Sequence, residues 1–190
     1  VSRAVLKRTL RVAEQVAAAT EAEGGRVAVI GAMACAAWNY PRHTRDFDLG
    51  TDLDPATAFP GICRRLRALG LTVEERLPDV DDPLGGLLRI EKRGLRPIEL
   101  INFYNPLRPR RNPGRRAVER ALPERLVPSS LRLVDLPDLI ALKLYAGGPK
   151  STLDILELLE RNPELDLDEV TETARAAGLS AELSRVLDLR

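Results

Sequence analysis

The chain has 190 residues, 44% of them hydrophobic and 30% charged, with a formal net charge of +1. That balance suits a folded domain with a real core and excludes a disordered chain, and near-neutral charge gives no general pull toward nucleic acid. One histidine excludes a histidine-rich metal site, and Cys35 and Cys63 lack metal-ligand spacing or a redox motif.

In chain order, residues 3–19 place Val5, Leu6, Leu10, Ala13 and Val16 at helical spacing, which predicts an amphipathic helix. No secretory leader pattern opens the sequence and no apolar run is long enough to span a membrane, so a cytoplasmic protein is expected. The apolar run 27–30, Gly31, and the small residues Ala32 to Ala37 read as a buried strand, a tight turn and a close-packed helix over 32–38. A strand over 46–50, a helix over 56–69 and a short strand near 71–76 follow. Residues 79–86 form a loop before a hairpin, with Leu87 to Glu91 and Arg96 to Phe103 as its arms. The proline- and arginine-rich stretch 105–114 cannot be a regular interior helix. Helices are predicted near 115–121, 135–146, 152–161, 168–177 and 180–187. The fold class is therefore α/β, a mixed β-sheet flanked by helices with a C-terminal helical extension. The domain reading is an α/β core over 1–125 and a helical region over 126–190.

Asp46 and Asp48 are the most informative residues. On an extended strand their carboxylates share one face, opposite Phe47 and Leu49. Two close acids repel unless a cation lies between them, and carboxylate oxygen is the ligand Mg²⁺ prefers. Glu99 lies inside an apolar strand, where a carboxylate is costly without a partner or metal. Asp46, Asp48 and Glu99 are thus candidate metal ligands converging from two strands. Together they would activate a hydroxyl and neutralise charge on a transferring phosphate. Glu91 is the rival third acid, but it lies near a charged turn, where solvation is the simpler reading. Gly31 would let the turn backbone approach a phosphate, with the N–H groups of the next helix receiving it. Neither a P-loop nor a dinucleotide fingerprint is present. Lys143 follows Leu139 and Ile140 by four and three residues, so its stem borders an apolar helix face while its ammonium reaches a cleft or solvent. Asp154 either pairs with Lys143 or Arg42 or favours the positive end of its own helix.

This arrangement resembles the nucleotidyltransferase superfamily that includes DNA polymerase beta. It is closer to the bacterial nucleotidyltransferase-like proteins of abortive-infection and type IV toxin–antitoxin systems. The resemblance rests on Val27 to Gly31, Tyr40, Arg42, Thr44, Asp46 and Asp48, Glu99 in the third-acid position, and the block Leu136 to Ala146 containing Lys143, followed by Lys150 and Asp154. It covers roughly residues 25–160. Ala32 stands where a second Gly or Ser is usual, and Ser151-Thr152 where an acid often follows the basic residue.

The resemblance implies the nucleotidyltransferase fold and Mg²⁺-dependent transfer of a nucleoside monophosphate from an NTP to an acceptor hydroxyl. Asp46, Asp48, Glu99 and Lys143 would be catalytic. Gly31, Ala32, Arg42, Thr44, Lys143 and Asp154 would surround the nucleotide. Related toxins make a tRNA end an attractive acceptor, with Arg108, Arg110, Arg111, Arg115 and Arg116 on its backbone; a solvated or acid-paired basic loop is the alternative reading of that cluster. The two departures motivate an alternative, a non-catalytic or weakly catalytic nucleotide- or RNA-binding protein on the same fold. A third is a protein-contacting member of a toxin–antitoxin system, with a cognate antitoxin as partner.

Overall fold

The computed structural model describes residues 3–108, 111–123, 126 and 129–190. Helix α1 (Arg3–Glu21) buries Thr9, Val12, Ala13, Val16, Ala17 and Thr20 along one stripe, the pattern that holds a helix against a sheet. Strand β1 (Ala28–Val29), helix α2 (Gly31–Ala37) and strand β2 (Phe47–Thr51) follow. Helix α3 (Pro55–Ala68) starts where the Asp54 carboxylate accepts the Ala56 N–H and Pro55 supplies a helix-ready φ. Next come β3 (Thr72–Arg76), β4 (Leu87–Glu91) and β5 (Ile98–Asn102). Helices α4 (Gly114–Glu119), α5 (Leu136–Ala146), α6 (Gly148–Arg161), α7 (Leu167–Ala176) and α8 (Ser180–Leu187) complete the chain.

The strands form one mixed sheet in the order β1-β2-β5-β4-β3, with β2 and β5 parallel and the other neighbours antiparallel. Period two separates its faces. Phe47, Leu49, Ile98, Leu100, Leu88 and Ile90 point into the core, and Asp48, Glu99 and Arg89 share the opposite face. The short β1 is extended by the returning segment 131–134, where Val29 bridges Leu133 in parallel. The sequence reading places no strand there, although Leu131 and Leu133 are buried on either side of Arg132.

Two buried asparagines hold the frame around the sheet face that carries the acids. The Asn102 side chain donates to the carbonyls of Leu53, Gly85 and Tyr104 and accepts the Leu53 N–H, locking three loops to the end of β5. Asn162, just past α6, donates to the Trp38 and Leu158 carbonyls and accepts from Asn39. The Trp38 indole donates to the Val134 carbonyl at 2.9 Å. These bonds tie the end of α2 to the C-terminal helices, so the segment leading to Asp46 is anchored at its start. One continuous apolar core includes residues from both the sheet region and the C-terminal helices. No described helix is long and apolar enough to cross a membrane.

Candidate active site

Asp48 lies on β2 in register with Glu99 on the parallel neighbour β5. Paired residues of adjacent strands project to the same side, so these two acids stand next to each other. Asp46 immediately precedes β2 and shares the side of Asp48 by period two. Burial pushes the Asp48 carboxyl above its ordinary range, and the charges of Glu99 and then Asp46 push it further, while Lys143 and the Ala32 N–H act against that rise. The three acids are therefore close enough to repel, and a cation placed among them would relieve the strain.

Gly31 begins α2 with φ at +62°, in the left-handed region that favours glycine. A Cβ built there would lie 1.9 Å from Asp48 Oδ2. Its missing side chain is thus the space that the Asp48 carboxylate occupies, and the Ala32 N–H beside it works against the rise of that carboxyl. The sequence reading assigns Gly31 and Ala32 to phosphate; in the structure the bare Cα of Gly31 also leaves the room in which the Asp48 side chain sits.

Lys143 and Asp154 meet across α5 and α6, with Nζ donating to Oδ2 at 2.6 Å. Arg42 reaches the other oxygen, with its Nε 2.9 Å from Asp154 Oδ1. Asp154 is 2% exposed, so two cations compensate a buried carboxylate that would be costly alone. Both partners named as alternatives from sequence are present together. Asp154 does not act at a helix start, because α6 begins at Gly148, earlier than the predicted 152. Pro149 fits the first turn, where its absent N–H has no helical partner to lose. Thr44 donates from Oγ1 to the Asp46 carbonyl at 3.2 Å and stiffens the approach to β2.

A cleft of about 430 Å³ opens beside these groups. Gly31, Asp48 and Lys143 supply its polar wall, and Leu84, Phe103, Leu142 and Tyr145 are among its apolar lining. Asp46, Glu99, Arg42, Thr44 and Asp154 stand outside that lining. Glu91 is exposed and pairs with Arg89, in keeping with a solvated role. His43 is exposed, and both cysteines are buried free thiols.

Arg89 is the site residue that the sequence reading lacks. Its Nη1 donates to Glu99 Oε1 at 2.6 Å and lies 3.6 Å from Asp46 Oδ1. Among the described residues, no three His, Cys, Asp or Glu side chains are already grouped as a metal cage. The donor chemistry of Asp46 and Asp48 fits a divalent cation through oxygen ligands and mutual repulsion; Arg89 hydrogen-bonds Glu99 and makes only a longer ion pair with Asp46.

The basic segment is mostly engaged internally. Arg116 donates to Asp138 and Thr173, Arg115 to Glu119, and Arg108 to the Asp81 carbonyl. Arg111 is exposed, and Arg110 lies outside the described residues. Asp138, buried at the start of α5, is raised to about pKa 7 by burial and by Asp135, against the pull of Arg116.

No family model matches the chain, and no curated protein matches it. Solved structures do. The solution structure of the antibiotic-resistance factor ANT(2'')-Ia aligns over 96% of this chain and 95% of its own, with a TM-score of 0.52 and 16% identity. The crystal structure of ANT(2'')-Ia in complex with adenylyl-2''-tobramycin aligns over 88% and 95%, with a TM-score of 0.52 and 14% identity. The chain has the nucleotidyltransferase fold. At these identities the likeness establishes that fold and nothing finer. Terminal uridylyl transferase 4 from Trypanosoma brucei, with bound GTP, aligns over 53% of this chain and 30% of its own, with a TM-score of 0.37 and 17% identity.

Proposed function

We propose that this nucleotidyltransferase-fold protein transfers a nucleoside monophosphate from an NTP to an acceptor hydroxyl and releases pyrophosphate. The carrying observation is the register of Asp48 with Glu99, flanked by Asp46 on the same sheet face, beside a cleft walled by Gly31 and Lys143. Asp46 and Asp48 would hold a divalent cation, Mg²⁺ by ligand chemistry, with Glu99 completing the acidic face. When bound, that ion supplies positive charge against the triphosphate.

The remaining roles follow from the chain's own groups. Lys143, oriented by Asp154, places an ammonium at the cleft for phosphate oxygens, and Arg42 adds a second cation on the same carboxylate. Gly31 and Ala32 fix Asp48 and keep the backbone close to the triphosphate. The acceptor oxygen bonds to the α-phosphorus, and the bond from that phosphorus to the oxygen bridging the β-phosphate breaks. Pyrophosphate leaves with the electron pair of that bond. The acceptor proton passes to Glu99 Oε2, the carboxylate oxygen to which Arg89 makes no hydrogen bond. In-line phosphoryl chemistry gains chiefly from such positioning and charge compensation. For an RNA acceptor, a tRNA end in particular, the exposed Arg111 and the exposed, Glu119-paired Arg115 would be the backbone-contacting groups.

A second reading, nucleotide binding without transfer, is favoured by the Arg89–Glu99 pair and by Ala32 in place of a hydroxyl-bearing residue. Incubation with each α-labelled NTP, Mg²⁺ and bacterial RNA separates the two. Label entering RNA with pyrophosphate release supports transfer, and NTP binding without release supports the second reading.

A further inference from the structure

Arg89 sits in β4 in antiparallel register with Glu99, which is itself in register with Asp48. The three side chains therefore form one row across three strands on the site face. Within that row the Arg89 Nη1 spans Glu99 Oε1 at 2.6 Å and Asp46 Oδ1 at 3.6 Å, while its Nε donates to Glu91 Oε1 at 3.0 Å. One planar cation thus bridges two of the three site acids and is held from its other edge by a third carboxylate outside the site.

Two properties of this guanidinium matter. It keeps its proton at every working pH, so it cannot vacate its place by becoming neutral, as a lysine can. Its fork fixes the direction of each bond, so Glu99 is held in orientation as well as neutralised. A divalent ion seated between Asp46 and Glu99 would face the guanidinium's charge at short range and would have to displace it from both acids.

We propose that Arg89 is a built-in cation standing in the place of a second metal ion. The site takes one divalent ion, on Asp46 and Asp48, and Glu99 is held toward the acceptor by Arg89 instead of by metal. Arg89 is a positioning residue: it acts through Glu99. The inference rests on the reading of Asp46 and Asp48 as cation ligands.

Counting bound Mn²⁺ tests it without any turnover. Electron paramagnetic resonance of free Mn²⁺ is followed during titration of the full chain with one equivalent of an NTP analogue whose α–β bridge is a methylene. Wild type and Arg89→Lys are expected to take up one ion per chain. Arg89→Gln is expected to take up two, the second disappearing again when Glu99→Gln is added. Two ions in the wild type, or one in a folded Arg89→Gln with Glu99 intact, would overturn the inference and leave the transferase reading standing. Failure of that reading looks different: binding in the wild type that Asp46→Asn leaves unchanged overturns both. The wild-type count needs no variant to fold, and thermal melting identifies any variant that does not.

Discussion

Replacing Gly31 by alanine separates backbone strain from loss of the site. The backbone there has φ at +62°, and an L-residue in that region costs about 1–2 kcal/mol. For a chain of this size that corresponds to a Tm lower by about 2–8 °C. The local demand is greater. The new Cβ would sit 1.9 Å from Asp48 Oδ2, where ordinary contact begins near 3.4 Å, so the carboxylate must retreat by about 1.5 Å. Turning the carboxylate aside is not enough, because Asp48 Cγ and Cβ would also lie within 2.8 and 2.9 Å of the new Cβ. Misplacement of a reacting group by about 1 Å costs on the order of 100-fold in rate. Gly178→Ala is the matched control: its φ is +74° and a Cβ there meets nothing within 4 Å. Both variants should lose stability by thermal melting, Gly178→Ala by the backbone strain alone and Gly31→Ala by at least as much. Only Gly31→Ala should lose transfer of labelled nucleotide, by about 100-fold or more. Transfer by Gly31→Ala within threefold of Gly178→Ala would refute the assignment of Gly31 as the seat of Asp48.

Further outcomes follow from the same geometry. Asp154→Ala leaves Lys143 and Arg42 without their shared buried partner and should cost about 3 kcal/mol in urea unfolding. Lys143→Ala leaves Asp154 paired with Arg42, so its loss should fall more on NTP affinity than on stability; isothermal titration and melting separate the two. Asn102→Leu strands the carbonyls it now satisfies and should cost about 2–4 kcal/mol by chemical denaturation. Asp138 is raised in the folded state to about 7, so its contribution is complete below the unfolded carboxylate range and is lost as pH rises through 7. The wild-type Tm should therefore decline between pH 6 and 8 by more than that of Asp138→Asn, and parallel curves would contradict that protonation state.

Elements set by local pattern were legible in the sequence. The stripe of α1, the alternation around Asp46 and Asp48, and the hairpin carrying Glu99 each carry their period in the residues themselves. The start of α6 was not, because Gly147, Gly148 and Pro149 look like a break and become a helix cap and first turn only once α5 has ended at Gly147. The segment 131–134 gains its bridge from β1, a partner about 100 residues away, and no local signal names that partner. Arg89 escaped for a similar reason. Its significance depends on sheet register, which places it opposite Glu99, and a lone arginine in a strand carries no mark of that pairing. The arginine cluster shows the converse: density along the chain suggested one surface, while folding sends Arg116 to Asp138 and Arg108 to the Asp81 carbonyl.

Transfer of a nucleoside monophosphate should depend on Asp46 and Asp48. Purified wild type and Asp46→Asn, given each α-labelled NTP with Mg²⁺ and total bacterial RNA, should differ completely. Label should enter an acceptor, with equimolar pyrophosphate, in the wild type alone. Equal turnover by Asp46→Asn would show that these acids do not carry transfer, and pyrophosphate-free NTP binding as the wild type's sole activity would show that the protein binds nucleotide without transferring it.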